Sequence, residues 1–188
     1  MLLHSEPIIN ALDGNKLREE FFNAKPFNHV VIDNFWNHEF ALKIAEELPD
    51  YDTPEADALY DNPIEKKRTI QDWVKFKTNT YRAFSILVGE QFTSFVALVI
   101  KQPDLVADFG LHGGGIHMHQ AGDYLNAHYD YDVHPKMGMQ RKINIIVYLT
   151  KDWMPSWGGG LELWSHDEET NSPKELIKTV DNLYNHAI

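Results

Sequence analysis

Residues 122–164 read GDYLNAHYDYDVHPKMGMQRKINIIVYLTKDWMPSWGGGLELW, and their pattern decides the fold class. Ile143 to Thr150 (INIIVYLT) is the strongest strand signal in the chain, an apolar and largely β-branched run of strand length. A turn bracketed by Trp153 and Trp157 follows, then Gly158-Gly159-Gly160, and Gly160 to Ser165 reads as the next strand. On the N-terminal side, Gly122-Asp123 is a turn or bulge and Tyr124 to Asp130 a strand. Further back, from Ile116, the side-chain period is two. Ile116, Met118 and Gln120 face one way and His117, His119 and Ala121 the other.

The first half has a different rhythm. Residues 26–33 (PFNHVVID) predict a strand, and Asn37 predicts the cap of a helix whose apolar stripe is Phe40, Ile44, Ala45 and Leu48, closed by Pro49. Residues 50–72 are polar, hold two prolines and predict a loop or mobile flap. A longer helix is expected over about 78–101, where Tyr81, Phe84, Val88, Phe92, Phe95 and Val99 recur at helical spacing. Gln102-Pro103-Asp104 ends it, and Gly113-Gly114-Gly115 opens the β-rich half. Helices first and short strands afterwards predict an α+β protein, an antiparallel sandwich carrying helices on one side. One domain over 1–188 is expected, with 1–111 mainly helical and 112–188 the β-rich core.

Composition narrows the partners. The chain has 188 residues, is 43% hydrophobic and 12% aromatic, and so carries enough apolar surface for a sizeable core. A net charge of −11 argues against nucleic acid and anionic membrane, which both require clustered cations, but leaves room for a small acidic cosubstrate. With no cysteine there are no disulfides, thiolate metal sites or cysteine nucleophiles. The N-terminus MLLHSEPIINALDG lacks the basic and apolar regions of a signal peptide, and the apolar window Ile86–Ile100 is too short to span a bilayer. A soluble cytoplasmic protein is the expectation.

The chemistry centres on His128-Tyr129-Asp130. On a strand, residues two apart share a face, so an imidazole and a carboxylate converge. They are two of the three ligands of a facial triad, which leaves positions on ferrous iron for a keto acid and dioxygen. Such a pair also occurs as an ordinary solvated strand face, and Asp132 and His134 extend the same row.

The order of elements around that pair resembles the prolyl-4-hydroxylase-like family of 2-oxoglutarate/Fe(II)-dependent dioxygenases. The resemblance rests on the His-x-Asp strand, the Arg-led run Arg141 to Thr150 containing Tyr148-Leu149, Asp152-Trp153, and the Gly-Gly-Gly-Leu turn at 158–161. PFNHVVIDNFW and LHGGGIHMHQAGDYLNAHYD look like the same family's earlier segments. It implies a double-stranded β-helix, or jelly roll, with the N-terminal helices packed on one sheet. It also implies Fe(II) and 2-oxoglutarate as cofactors, with ascorbate a further candidate. His128 and Asp130 would be metal ligands and Tyr148 a contact to the distal carboxylate of 2-oxoglutarate, with Tyr124 a further lining residue; no catalytic residue beyond the metal ligands is implied. Tyr148 reads equally well as a packed strand aromatic, and His117, His119 and His134 as ordinary strand or loop histidines. Asn126 and Arg141 are reserve candidates for substrate or cosubstrate contacts, and Gly158 to Gly160 are structural.

The chain also departs from that family. No residue matches the second histidine ligand or the cation that grips 2-oxoglutarate, and the sequence stops at VDNLYNHAI, within an apolar strand. The expectation is therefore a fragment lacking the last strands, inactive or impaired, whose parent hydroxylates a prolyl peptide, a free amino acid or a small metabolite. Unpaired strand edges predict a homodimer through an exposed sheet edge. Two rivals remain: a non-catalytic cupin-like jelly roll that binds a ligand, and a different His-rich metalloenzyme in which His117 or His119 joins His128.

Overall fold

A computed structural model describes residues 7–170 and 172–188. Residues 1–6, part of the stretch bearing on a signal peptide, lie outside them. Four helices and three small antiparallel sheets make up the described fold. No single described helix is long and apolar enough to cross a membrane.

Helix α1 (Gly14–Asn23) is absent from the sequence reading, because its composition GNKLREEFFN is polar apart from Leu17 and its aromatic end. The Asp13 carboxylate caps it, accepting the amide hydrogens of Asn15 (2.9 Å) and Lys16 (3.2 Å). Helix α2 (His38–Glu47) forms as the periodicity predicts, with Asn37 as cap and Phe40, Ala41 and Ile44 buried. The single helix expected over 78–101 is two. Helix α3 (Thr78–Leu87) and helix α4 (Glu90–Ile100) meet at Gly89, an extended residue, with their axes bent by 43°. Lys77, before α3, provides no side-chain cap; Glu47 from the end of α2 does so instead. Its carboxylate accepts from the backbone of Asn79 (3.0 Å) and Thr80 (2.7 Å) and from both of their side chains.

The loop expected over 50–72 contains the middle of the largest sheet. Strands β1 (Ala58–Asp61) and β2 (Glu65–Ile70) form a hairpin, its turn closed by the Asn62 side chain accepting from Ile64 and Glu65. On the other edge of β2 lie β3 (Ile116–Met118) and β4 (Tyr124–Leu125), both antiparallel to it. Thr69 stands opposite His117, Ile70 opposite Ile116 and Lys66 opposite Tyr124. The sheet thus joins the helical half to the β-rich half. One face, carrying Ile70, Ile116 and Met118, packs on Phe76 and on Phe84 of α3. The opposite face is polar, so β2 shows no apolar alternation in its sequence EKKRTI.

The run Ile143–Thr150 is strand only at β5 (Val147–Tyr148), which pairs with β8 (His186–Ala187). The segment 26–33, expected as a strand, contributes one bridge, Ile32 to Ala187. Ala187 lies in the main core with Phe35, Trp36, Phe40, Ala41, Ile44, Ala83 and Phe92. Buried Asn185 fastens that core: its side-chain amide donates to the Trp36 carbonyl (2.8 Å) and its oxygen accepts from the Trp36 N–H (2.9 Å). Strands β6 (Leu161–Asp167) and β7 (Ser172–Val180) form a long hairpin that pairs with no other described strand. Gly160 lies against Thr179 of β7, where a Cβ would come within 2.7 Å of the threonine methyl. The fold is a mixture of helices and antiparallel sheets, as expected, and no closed barrel forms among the described residues.

Candidate functional site

His128 and Asp130 come together without the strand predicted for them. Beyond Leu125 the chain loses its partner, because β2 has turned back at Asn62–Ile64 and the Asn126 amide makes the last bond, to the Ile64 carbonyl (2.8 Å). Residues 126–132 run on without regular structure. His128 Nδ1 lies 2.7 Å from the Asn126 carbonyl oxygen. A carbonyl only accepts, so the proton sits on Nδ1 and the lone pair on Nε2. That Nε2 lies 3.7 Å from Asp130 Oδ1. Two ligands at right angles, each about 2.1 Å from an ion, stand roughly 3 Å apart, so a modest approach would let the pair share one metal.

The other oxygen of Asp130 is already held. Oδ2 accepts from the Asn144 side-chain amide (3.0 Å) and pairs with the Arg141 guanidinium (3.1 Å). Arg141 also donates to Asn144 Oδ1 and lies over the Tyr131 ring, 4.7 Å from its centroid. The carboxylate is therefore oriented so that Oδ1 alone is free, the arrangement that surrounding hydrogen bonds impose on metal ligands. Arg141 is engaged with a candidate ligand and Asn126 with the Pro63 carbonyl, which accounts for both reserve candidates. The side chains of His128 and Asp130 are 35% and 45% exposed, so they reach solvent through an open cleft.

That cleft, about 300 Å³, has His128, Asp130 and Arg141 on its lining together with Lys67, Thr69 and His117 of the polar sheet face. Burial, then the charge of Lys67, push the His117 imidazole down to about 4, and His119 is lowered for the same reasons. His117 Nε2 lies 3.1 Å from the Gly114 carbonyl, so it carries the proton there. Both histidines are neutral at neutral pH.

The tyrosines lie elsewhere. The Tyr124 hydroxyl donates to the Asn62 carbonyl (2.8 Å) and holds the β1–β2 turn. Tyr148 is on β5 opposite His186, where burial alone pushes its hydroxyl up to about 12. Neither lines the cleft. His134 is buried: its Nδ1 accepts from the backbone of Lys136 (3.2 Å) and Met137 (3.0 Å), and its Nε2 faces Asp108 Oδ2 at 3.2 Å. Both of its nitrogens are occupied by the loop it organises. Among the described residues, no group of three or more His, Cys, Asp or Glu side chains is placed to hold one metal ion.

Sequence reasoning finds the His128–Asp130 wall of the cleft and misses the Lys67–Thr69 wall. The available signal was the polar row Glu65, Lys67, Thr69, Gln71, spaced by two. No curated protein matches the chain. Its C-terminal part, residues 115–188, which carries His128 and Asp130 and begins at the glycine before β3, matches the family described as the 2OG-Fe(II) oxygenase superfamily.

Proposed function

We propose that the protein is a 2-oxoglutarate- and Fe(II)-dependent dioxygenase of the prolyl-4-hydroxylase type, hydroxylating a prolyl peptide or a small molecule. The observation that carries this reading is the His128–Asp130 pair within the matched span: one free imidazole lone pair and one free carboxylate oxygen, 3.7 Å apart at the edge of a cleft. The donor set suits ferrous iron in two of its positions. When bound, ferrous iron with 2-oxoglutarate supplies the activation of dioxygen needed to hydroxylate a C–H bond.

The chain's own residues bind and orient. Asn126 holds the His128 tautomer, while Arg141 and Asn144 keep Oδ2 of Asp130 occupied and Oδ1 available. With two protein donors among the described residues, the chain is expected to hold metal loosely. The test is metal binding by calorimetry together with succinate release from 2-oxoglutarate. His128→Ala and Asp130→Ala should each abolish both signals. Tight metal binding lost in His117→Ala as well as in His128→Ala would favour the His-rich alternative, since His117 lines the same cleft. Ligand binding with no metal dependence would favour a binding module.

A further inference from the structure

The face of β2 that lines the cleft is polar where a sheet in this position would ordinarily be apolar. Glu65, Lys67, Thr69 and Gln71 alternate along it. Tyr60 stands opposite Lys67, and His117 opposite Thr69. Lys67 is 8% exposed and Thr69 1%. Such groups are buried only with partners, yet the Thr69 hydroxyl has none in the protein. The Lys67 ammonium meets Glu65 at 2.7 Å and lies over the Tyr60 ring at 5.3 Å. An ammonium has three N–H donors, and one carboxylate oxygen accepts one of them. Arg141, the other cation of the cleft, is committed to Asp130 and Asn144.

We propose that Lys67 and Thr69 form a carboxylate-binding subsite in the cleft that holds His128 and Asp130. Lys67 supplies the charge and two N–H donors, and Thr69 the hydroxyl donor. Glu65 limits the ligand class: the Lys67–Glu65 pair is already neutral, so one ligand carboxylate adds a single net negative charge beside the unused N–H donors, whereas a doubly charged phosphate would add two. The ligand is a small molecule with a carboxylate set apart from the group that reaches His128 and Asp130. It is either the 2-oxo acid cosubstrate, in which case the inference rests on the function proposed above, or a carboxylate on the hydroxylated substrate. The family resemblance assigns this role to no residue of the chain.

The test is calorimetry on the whole chain with four variants. Thr69→Val is nearly isosteric and removes a hydroxyl that bonds nothing in the protein. Glu65→Gln/Lys67→Met removes the ion pair without stranding Glu65, Lys67→Arg retains the charge, and His128→Ala reports on the metal pair. Glutarate is titrated into the metal-free chain, and 2-oxoglutarate and pyruvate into the Mn(II)-loaded chain. Glutarate binding should weaken about tenfold or more in Thr69→Val and in the double variant, and be partly kept in Lys67→Arg. Where the subsite serves the cosubstrate, wild type should prefer 2-oxoglutarate to pyruvate, and the two weakened variants should lose that preference at unchanged Mn(II) affinity. Displacement of glutarate by 2-oxoglutarate assigns the subsite to the cosubstrate, and simultaneous binding assigns it to the substrate. Ligand affinities equal to wild type in both weakened variants, with the fold intact by circular dichroism, overturn the subsite. Mn(II) affinity indifferent to His128→Ala sinks the dioxygenase reading and leaves the glutarate result standing on its own.

Discussion

At the scale of single residues, the candidate site depends on groups that touch no ligand themselves. Arg141 and Asn144 occupy one oxygen of Asp130 and leave the other free. Arg141→Met should therefore weaken Mn(II) binding about 10–100-fold, the usual cost of losing a partner that orients a ligand, with little change in melting temperature. Glu47 offers a pH-dependent counterpart in the fold. Burial works to raise its carboxyl, but the hydrogen bonds from Asn79 and Thr80 outweigh it and hold the group below its ordinary value near 4.5. A depressed carboxyl stabilises the folded chain above its unfolded pKa, and that contribution fades as pH falls through the lower folded value. Glu47→Gln should accordingly melt below wild type at pH 7, with the gap closing in acid below about pH 4.5; replacing such a cap costs about 1 kcal/mol. The His128–Asp130 pair is legible in sequence because both residues sit within one tripeptide. Asn144 is not, since its reach to Asp130 depends on how an irregular loop turns.

At the scale of elements, sequence pattern is a good guide where burial is apolar and a poor one elsewhere. Helix α2 is predicted correctly because Phe40 and Ile44 face the core at helical spacing. Strand β2 is invisible because two of the three residues it buries are Lys67 and Thr69, with Ile70 the single apolar one. The stretch INIIVYLT looks like a long strand yet pairs only along Ile146–Tyr148, where Ile146 exchanges two backbone bonds with Ile188 and Val147 and Tyr148 stand opposite Ala187 and His186. The helix break is encoded by Gly89, whose effect on an apolar stripe running through it cannot be read from periodicity alone. Gly115 shows how tightly the sheet depends on one residue. It has a φ of +88°, and a Cβ there would fall on the Ile70 carbonyl oxygen and 3.0 Å from the Gln71 α-carbon. Gly115→Ala should push β3 away from β2 and destabilise the fold by roughly 3 kcal/mol or more, visible as a large drop in melting temperature.

At the scale of the whole molecule, the four-stranded sheet draws strands from both sides of the expected 111/112 division, so the helical and β-rich parts share a wall. The long β6–β7 hairpin is different. Leu176 and Ile177 are exposed on it, and among the described residues β7 pairs with β6 alone. An open edge with exposed apolar side chains favours strand addition, and we expect concentration-dependent self-association in light scattering, reduced by Leu176→Lys/Ile177→Lys. A monomer at all concentrations would exclude it.

The Asn185 clamp bears on how the chain is made. Asn185 fastens both backbone groups of Trp36 across 149 residues, and Ala187 fills the core beside Phe35 and Ile44. While a ribosome is still extending the chain, α2 and its aromatic neighbours have no such clamp. The main core closes only after residues 185–187 have left the exit tunnel, and until then the half-made chain is the species most in need of a chaperone.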